Sequence, residues 1–228
     1  MKFRIFAAAA MAAGVGVLAA GTASAETEPT GNFAVGVEGG TVGAGVTAQL
    51  RLGSQFEVRG TGDFLQLDHD TTYHNIPYHG QWHGMTGGAF LDWHPMSNAF
   101  MLTAGGYFGS RKLDIDATPT GNVNIGGATF TPAQVGRLTG AIRMSDAQPF
   151  VGLGFNNTFR TSSRLSFTGI LGVSFSGSPG VTLSSTGGTL SGNSTFQTYL
   201  ETERQTIAHD VRNYKYYPVA TIGVNYAF

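Results

Sequence analysis

The sequence has no cysteine, few charged residues and, beyond its first 25 residues, no long apolar run. The missing Cys excludes a disulfide-stabilised scaffold, and charged residues make up only 12% of the 228 residues. A soluble exported protein of this size would carry about twice that charge. The net charge of −1 gives no electrostatic case for nucleic-acid binding. Without about eighteen consecutive apolar residues, the rest of the chain has no candidate for a spanning helix.

The first 25 residues have the features of a cleaved export signal. Lys2 and Arg4 give a positive start, residues 7–20 form a short apolar run, and Ala23-Ser24-Ala25 is a small-x-small cleavage site. The alternative, an uncleaved membrane anchor, fits less well because the run is short and ends in that site. We therefore expect a signal peptide at residues 1–25 and one domain at residues 26–228.

Alternation of side-chain character is the strongest positive signal, and it is clearest in the last strand, Tyr214–Phe228. One face of this strand is apolar in its middle, at Ile222 and Val224, and aromatic at both ends. The other face is small and polar. A hydrocarbon slab with aromatic belts at both interfaces favours this pattern, so we interpret the segment as the closing strand of a transmembrane β-barrel.

Seven further segments alternate in the same way, and together they predict an all-β fold. The architecture we expect is an eight-stranded antiparallel transmembrane β-barrel with long external loops. The predicted strands are Asn32–Glu38, Thr41–Leu52, Phe56–Asp68, His79–Pro95, Phe100–Leu113, Gln148–Asn157, Arg164–Gly177 and Tyr214–Phe228. The first of them is shorter than the roughly nine to eleven residues that a spanning strand needs, so whether it crosses the membrane stays open.

The long connections are predicted at one end of the barrel. Asp68–Tyr78 is polar and contains Pro77, which indicates a loop, and residues 114–145 alternate weakly and are expected to form a long loop with room for a small hairpin. Residues 184–194 are rich in Gly, Ser and Thr, so we expect this segment to be flexible. After them, apolar residues recur at helical spacing, which predicts a short helix before the last strand. The alternative there is irregular loop.

These features resemble the small bacterial outer-membrane barrels of the OmpA-transmembrane and OmpW-like type. The resemblance is carried by the signal peptide, Leu91-Asp92-Trp93-His94-Pro95 at a strand end, Ser176-Gly177-Ser178-Pro179, and the segment from Tyr217-Pro218-Val219 to Phe228. It covers nearly the whole mature chain and implies an outer-membrane location in a Gram-negative cell envelope. It implies no single activity, because such barrels include porins, adhesins and lipid-modifying enzymes.

Charged residues on the inward faces form the most informative candidate site. Charge on the lipid face costs roughly 2 to 4 kcal/mol per residue at the midplane, so these side chains are expected to line the lumen. One interpretation is a salt-bridged plug, because an eight-stranded barrel is just wide enough for its side chains to fill. The other is a narrow polar path, helped by inward glycines. The predicted lumen-lining residues are Glu38, Arg51, Glu57, Arg59, Asp63, Asp92, Arg111 and Lys215.

No metal, cofactor or catalytic motif stands out. The weak metal candidates are His69, His74, His79 and His83, whose spacing matches no metal motif. Nucleophile-elbow and metalloprotease spacings are absent, so we expect no enzyme activity and no cofactor. His94 lies at a predicted inner membrane–water interface, which favours an amphipathic ring, so its position requires no chemical role.

The expected function is a structural outer-membrane barrel or a narrow passive pore for small hydrophilic solutes. The alternative is a surface interaction or adhesin-type barrel that binds a partner through loops 114–145 and 184–212, and a lipid-modifying enzyme is the weaker third possibility. Expected partners are outer-membrane lipid, lipopolysaccharide and the barrel insertion machinery. The residues predicted to form a C-terminal insertion signal are Ile222, Val224, Tyr226 and Phe228.

Overall fold

The computed structural model describes residues 31–73, 76–212 and 214–228, so the predicted signal peptide lies outside the described residues. The described chain forms twelve strands and two helices. The strands are β1 (Phe33–Gly40), β2 (Gly43–Arg51), β3 (Phe56–Tyr73), β4 (Ile76–Trp93), β5 (Phe100–Ala117), β6 (Val123–Ile125), β7 (Ala128–Phe130), β8 (Gly136–Arg143), β9 (Ala147–Asn156), β10 (Leu165–Phe175), β11 (Gly180–Gly187) and β12 (Tyr216–Ala227). The helices are α1 (Pro132–Val135) and α2 (Ser194–Val211).

Eight of the strands close into a ring, which confirms the predicted eight-stranded antiparallel barrel. The order around the ring is β1, β2, β3, β4, β5, β9, β10 and β12, and every neighbouring pair is antiparallel. The closing pair joins β1 to β12, with Val37 opposite Val224. The predicted short strand Asn32–Glu38 corresponds to β1, which pairs on both sides and ends at Gly40.

Apolar side chains on the outer surface form a belt, with aromatic residues at its two rims. Phe56 opposite Trp93 marks the inner rim, and Phe175 opposite Tyr216 marks the outer one. From Phe56 to Phe64 the strand rises by about 27 Å, which a tilt of about 40° reduces to about 20 Å. That height fits the apolar band of a transmembrane barrel, roughly 25 Å tall.

The barrel wall is much taller on one side than on the other. β3, β4 and β5 have 18 residues each, whereas β1 and β2 have 8 and 9. The prediction of a loop at Asp68–Tyr78 is therefore wrong: the β3–β4 ladder continues as far as the pair Tyr73 and Ile76. Pro77 is accommodated within this long hairpin, beyond the height of the membrane belt.

β5 divides its pairing between two partners. Its first half pairs with β9 inside the ring, and its outer half pairs with β8, which in turn pairs with β11. Residues 114–145 are thus more ordered than the predicted loop: besides the expected small hairpin, formed by β6 and β7, they contain α1 and β8. β11 likewise occupies the start of the segment 184–194, which was predicted to be flexible.

The outer elements β6, β7, β8, β11, α1 and α2 form a folded unit that we call the external cap. It has its own apolar core, in which the rings of Phe130 and Phe196 meet edge to face at 4.9 Å. The remaining buried members of this core are Ile125, Val135 and Leu200. α2 begins at the cap residue Asn193, whose side chain accepts a hydrogen bond from the Phe196 backbone N–H. The helix predicted before the last strand is therefore confirmed, with 18 residues.

Within the part of the chain that the structure describes, no helix combines the length and the apolar character that a bilayer span requires.

Candidate functional site: the barrel interior

Most of the predicted lumen-lining residues lie together inside the barrel. Alternating strand positions turn these side chains inward and away from the apolar belt. The six that are buried are Glu38, Glu57, Arg59, Asp63, Asp92 and Arg111. Arg51 lies at the inner rim, where its guanidinium donates to Asn32 Oδ1 and to the Phe159 carbonyl. Lys215 lies in the turn before β12 with an exposed side chain, so it is not brought together with the others.

A polar network, which we call the inner plug, fills the end of the barrel that has short turns. The Asn156 amide donates to Gln49 Oε1 at 3.0 Å and to Glu57 Oε2 at 2.9 Å. Gln49 in turn donates to Asn225 at 3.0 Å. Arg160, from the turn between β9 and β10, forms an ion pair with Glu57. Side chains from β2, β3, β9 and β12 and from one turn therefore meet in a single network across the lumen.

His94 joins the inner plug from the turn between β4 and β5. Its Nδ1 lies 2.9 Å from the Asn98 carbonyl and 3.1 Å from the Phe100 carbonyl, and its Nε2 lies 3.4 Å from Glu57 Oε1. The ring is fully buried. It ties the turn to the barrel interior and lies inside the protein, away from the lipid interface.

Arg59 and Asp92 form a buried ion pair next to the inner plug. Arg59 Nε donates to Asp92 Oδ2 at 2.8 Å, and Nη2 donates to Asp92 Oδ1 and to Thr103 Oγ1, both at 3.3 Å. The guanidinium carbon lies 4.4 Å from the centre of the Phe90 ring. Two parallel hydrogen bonds and a ring face together satisfy a charge that water does not reach.

An aromatic layer crosses the middle of the lumen. The rings of Phe90, Tyr107 and Phe150 contact one another edge to face, with centroids 4.9 to 5.6 Å apart. Met101, Ile170, Val42 and Val219 belong to the same buried cluster. The inward glycines make room for the rings: a Cβ on Gly172 would lie 2.5 Å from Phe150 Cζ, and one on Gly88 would lie 2.4 Å from Phe90 Cε2.

Arg111 lies on the outer side of this layer. Its Nη1 donates to Gln148 Oε1 at 2.8 Å, and its guanidinium lies over the rings of Tyr107 and Tyr217 at 5.1 and 4.9 Å. The Tyr217 hydroxyl donates to the Thr41 carbonyl in the β1–β2 turn. Residues from β5, β9 and β12 are thereby linked to the turn that closes the low side of the wall.

Sequence reasoning missed the neutral members of the interior. Gln49, Asn156 and Asn225 carry no charge, so a search for inward charges passes over them. Their alternation with apolar neighbours was a usable signal, because an amide flanked by outward apolar residues must face inward. Phe150 was the harder case, since an aromatic ring on the polar face contradicts the simple two-face rule.

The histidine candidates are not gathered into a metal site. His74 and the side chain of His69 lie outside the described part of the chain, His79 is exposed at the start of the predicted strand, and His83 is half-buried. Within residues 31–73, 76–212 and 214–228, no group of three or more His, Asp or Glu side chains is arranged to hold a metal ion.

The predicted insertion-signal residues lie on the lipid-facing side of the last strand. Ile222, Val224, Tyr226 and Phe228 are all exposed at the barrel surface. The Phe228 ring stacks on Phe33 at 5.9 Å, across the seam where the first and last strands meet.

Solved structures with a similar fold are found, whereas comparison of the sequence alone finds no match. No protein-family model matches the chain, and no curated protein matches its sequence. The crystal structure of CarO from Acinetobacter baumannii is similar with a TM-score of 0.57 and 18% identity, covering 86% of this chain and 97% of that one. CarO2 from the same organism is similar with a TM-score of 0.58 and 19% identity, covering 90% and 100%.

A major outer membrane protein from Thermus thermophilus was also matched, with 17% identity and coverage of 86% of this chain and 98% of that one. Its TM-score of 0.35 is too low to indicate a shared fold. At these identities the likeness to the two Acinetobacter proteins concerns the fold alone. That fold is the eight-stranded antiparallel barrel described above.

Proposed function

We propose that this chain is a structural outer-membrane protein whose barrel is closed at rest, rather than an open pore. The observation that carries the proposal is the filled interior. The aromatic layer of Phe90, Tyr107 and Phe150 crosses the lumen, and the inner plug lies between it and the inner mouth. An eight-stranded barrel has just enough width for such side chains. The outer-membrane location, the cleaved signal and the finer OmpA or OmpW type are parts of this proposal.

Conductance in planar lipid bilayers tests the closed state. We expect purified wild-type barrel to be silent and a Phe150 variant that is truncated in both layers, Phe150→Ala/Asn156→Ala, to conduct. The first change removes the ring that lies over Gly152 and Gly172, and the second removes the amide that links Gln49 to Glu57 in the inner plug. The matched control is Phe155→Ala on the same strand, since Phe155 points to lipid and is 49% exposed. Steady conductance by the wild-type protein, unchanged in the Phe150 variant, would contradict the closed barrel and favour the narrow passive pore.

The partners we propose follow from the outer surface. Lys112 and Arg143 lie directly opposite each other, on the lipid-facing side just beyond Phe108 of the outer rim. Lys112 Nζ lies 2.6 Å from the Asp114 carboxylate, so the two cations exceed this carboxylate by one positive charge, which an external anion would offset. Phosphate groups of lipopolysaccharide are anions present at that height. At the other end, the exposed row that ends at Phe228 suits recognition by the barrel insertion machinery.

A second candidate function is surface interaction, and the external cap favours it. Loops 114–145 and 184–212 fold together around the core of Phe130 and Phe196, so they offer a pre-formed surface. The exposed face of α2 is polar, with Glu201 accepting hydrogen bonds from Arg204 and Gln205. Deletion of the cap is expected to abolish binding to a surface partner and to leave the barrel folded, and unchanged binding would remove this candidate.

Catalysis has no part in the proposed function. The buried His94 is held by two backbone carbonyls and by Glu57, which accounts for its position without a substrate. Purified barrel is expected to leave labelled phospholipid and lipid A unchanged. Any turnover that is lost in His94→Gln would overturn this part of the proposal.

A further inference from the structure

Two carboxyl groups meet inside the barrel across a glycine. Gly45 on β2 pairs with Glu38 on β1 and with Asp63 on β3, so the two acids flank a position that has no side chain. An ideal Cβ on Gly45 would lie only 2.5 Å from Asp63 Oδ1. Asp63 therefore leans over the glycine toward Glu38, and the two carboxyl groups lie within hydrogen-bonding reach of each other.

The oxygens around this pair lack donors. Asp63 Oδ2 accepts a hydrogen bond from Thr61 at 3.0 Å. Asp63 Oδ1 and the hydroxyls of Thr47 and Thr86 find no hydrogen-bond partner among residues 31–73, 76–212 and 214–228. Asp63 is 3% exposed, and both threonines are also buried. Thr86 is the cross-strand neighbour of Asp63, and Thr47 is the neighbour of Thr61, so these oxygens line one side of the same space.

The charges that face the pair neutralise it only in part. Arg59 is engaged by the Asp92 carboxylate. Arg111 contacts only the neutral Gln148 and two aromatic rings, so its single positive charge offsets one of the two carboxylates. The Tyr107 hydroxyl is the other titratable group nearby. The adjacent inward positions on β12 are Thr221 and Gly223, which carry no charge.

With the imidazole of His94 counted as neutral, the carboxylates and guanidinium groups of the interior sum to one uncompensated negative charge. Four carboxylates face three guanidinium groups. The carboxylates are Glu38, Glu57, Asp63 and Asp92, and the guanidinium groups are those of Arg59, Arg111 and Arg160. Two adjacent ionised carboxylates in a site of low dielectric repel each other strongly, so one added positive charge both balances the count and joins the pair.

We propose that Glu38 and Asp63 form a buried binding site for one small monovalent cation. A proton fills it by lying between the two carboxyl groups. A sodium ion fills it by taking Asp63 Oδ1, the Glu38 carboxylate and the hydroxyls of Thr47 and Thr86 as oxygen ligands. Both ions supply the same single charge, and the experiment distinguishes them.

Infrared spectroscopy of the folded barrel in detergent at neutral pH gives the first measurement. A shared proton produces a protonated-carboxyl band that is absent from the Asp63→Asn and Glu38→Gln spectra. The matched control is Asp146→Asn, which removes an exposed carboxylate and is expected to leave the band in place. A band that persists in both interior variants belongs to another carboxyl group and overturns the proton form of the site.

Equilibrium unfolding in urea gives the second measurement, on wild-type protein as well as the variants. With a proton bound in the folded state alone, stability falls as the pH rises. The unfolding constant grows by up to tenfold per pH unit while the folded pair keeps the proton that the unfolded chain has lost, and it levels off once the folded pair releases the proton. With sodium bound, replacing sodium by choline at constant ionic strength raises the unfolding constant by the sodium linkage. The proposal is overturned if the wild-type protein shows neither a protonated-carboxyl band nor any dependence of stability on sodium.

Discussion

Replacing Arg59 by Met gives the sharpest test of how the interior holds together. The methionine keeps most of the side-chain stem against Phe90, and the change removes both hydrogen bonds to Asp92. Asp92 is fully buried, so it becomes a charge without a partner. The same change adds one uncompensated negative charge to the buried interior, because it removes one of the three guanidinium groups.

The expected loss of stability is large. Removing one partner of a buried ion pair costs about 3 to 5 kcal/mol, because the remaining charge stays desolvated. The added charge excess puts Arg59→Met in the upper part of this range, about 4 kcal/mol. At 1.4 kcal/mol per tenfold, the unfolding constant rises by nearly three orders of magnitude. Equilibrium urea unfolding, followed by tryptophan fluorescence and by gel mobility of unheated samples, measures it.

A second substitution makes the test specific. In Arg59→Met/Asp92→Leu both charges of this ion pair are removed together, so the double variant is expected to be more stable than the single one. The surface pair of Lys112 and Asp114, 2.6 Å apart and partly exposed, is the control: Lys112→Met is expected to cost less than about 1 kcal/mol. A double variant no more stable than Arg59→Met, or a single variant no worse than Lys112→Met, would refute the reasoning.

Two further predictions concern the external cap. Phe196→Ala removes the ring that packs against Phe130 and is expected to destabilise the cap core by about 3 to 5 kcal/mol. Limited proteolysis is then expected to cut the cap while the heat-modifiable barrel remains folded. Loss of the cap and the barrel together would contradict a separate core. The hydrogen bonds from Arg204 and Gln205 lower the pKa of Glu201 from 4.5 to about 2. This interaction stabilises the folded helix above pH 4.5 and is lost as the pH falls toward 2. Arg204→Ala is expected to return the Glu201 pKa toward 4.5 in an NMR titration, and an unchanged pKa would rule out the pairing.

The barrel itself could be predicted because its two faces obey one rule along every strand. Contact with lipid requires apolar side chains at alternate positions. Segments such as Phe100–Leu113 and Tyr214–Phe228 can therefore be recognised as spanning strands from their own sequence. The same rule has no force outside the membrane. Beyond the belt, both faces of β3 and β4 are free to be polar, which is why the extension of their hairpin to Tyr73 and Ile76 was predicted as a loop.

The interior could be predicted only in part. A charged side chain is costly on the lipid-facing side of a strand. The strand positions of Glu57, Arg59 and Asp92 were therefore enough to predict that these side chains point inward. Their pairing was not, because it depends on side chains that meet across the lumen from strands far apart in sequence, as with Asn156 and Gln49. The inward glycines were the most ambiguous signal. They were compatible with an empty path, and in the folded barrel the rings of Phe90 and Phe150 lie against several of them.

The difference in wall height has a mechanical consequence. At about 3.3 Å per residue, β3, β4 and β5 are each roughly 60 Å long, about twice the length of β1 or β2. The backbone ladder therefore runs from the membrane into the base of the external cap without a hinge. A force on the cap is therefore transmitted along these strands to one side of the barrel. For the same reason, the tilt of the cap follows the tilt of the strands in the bilayer.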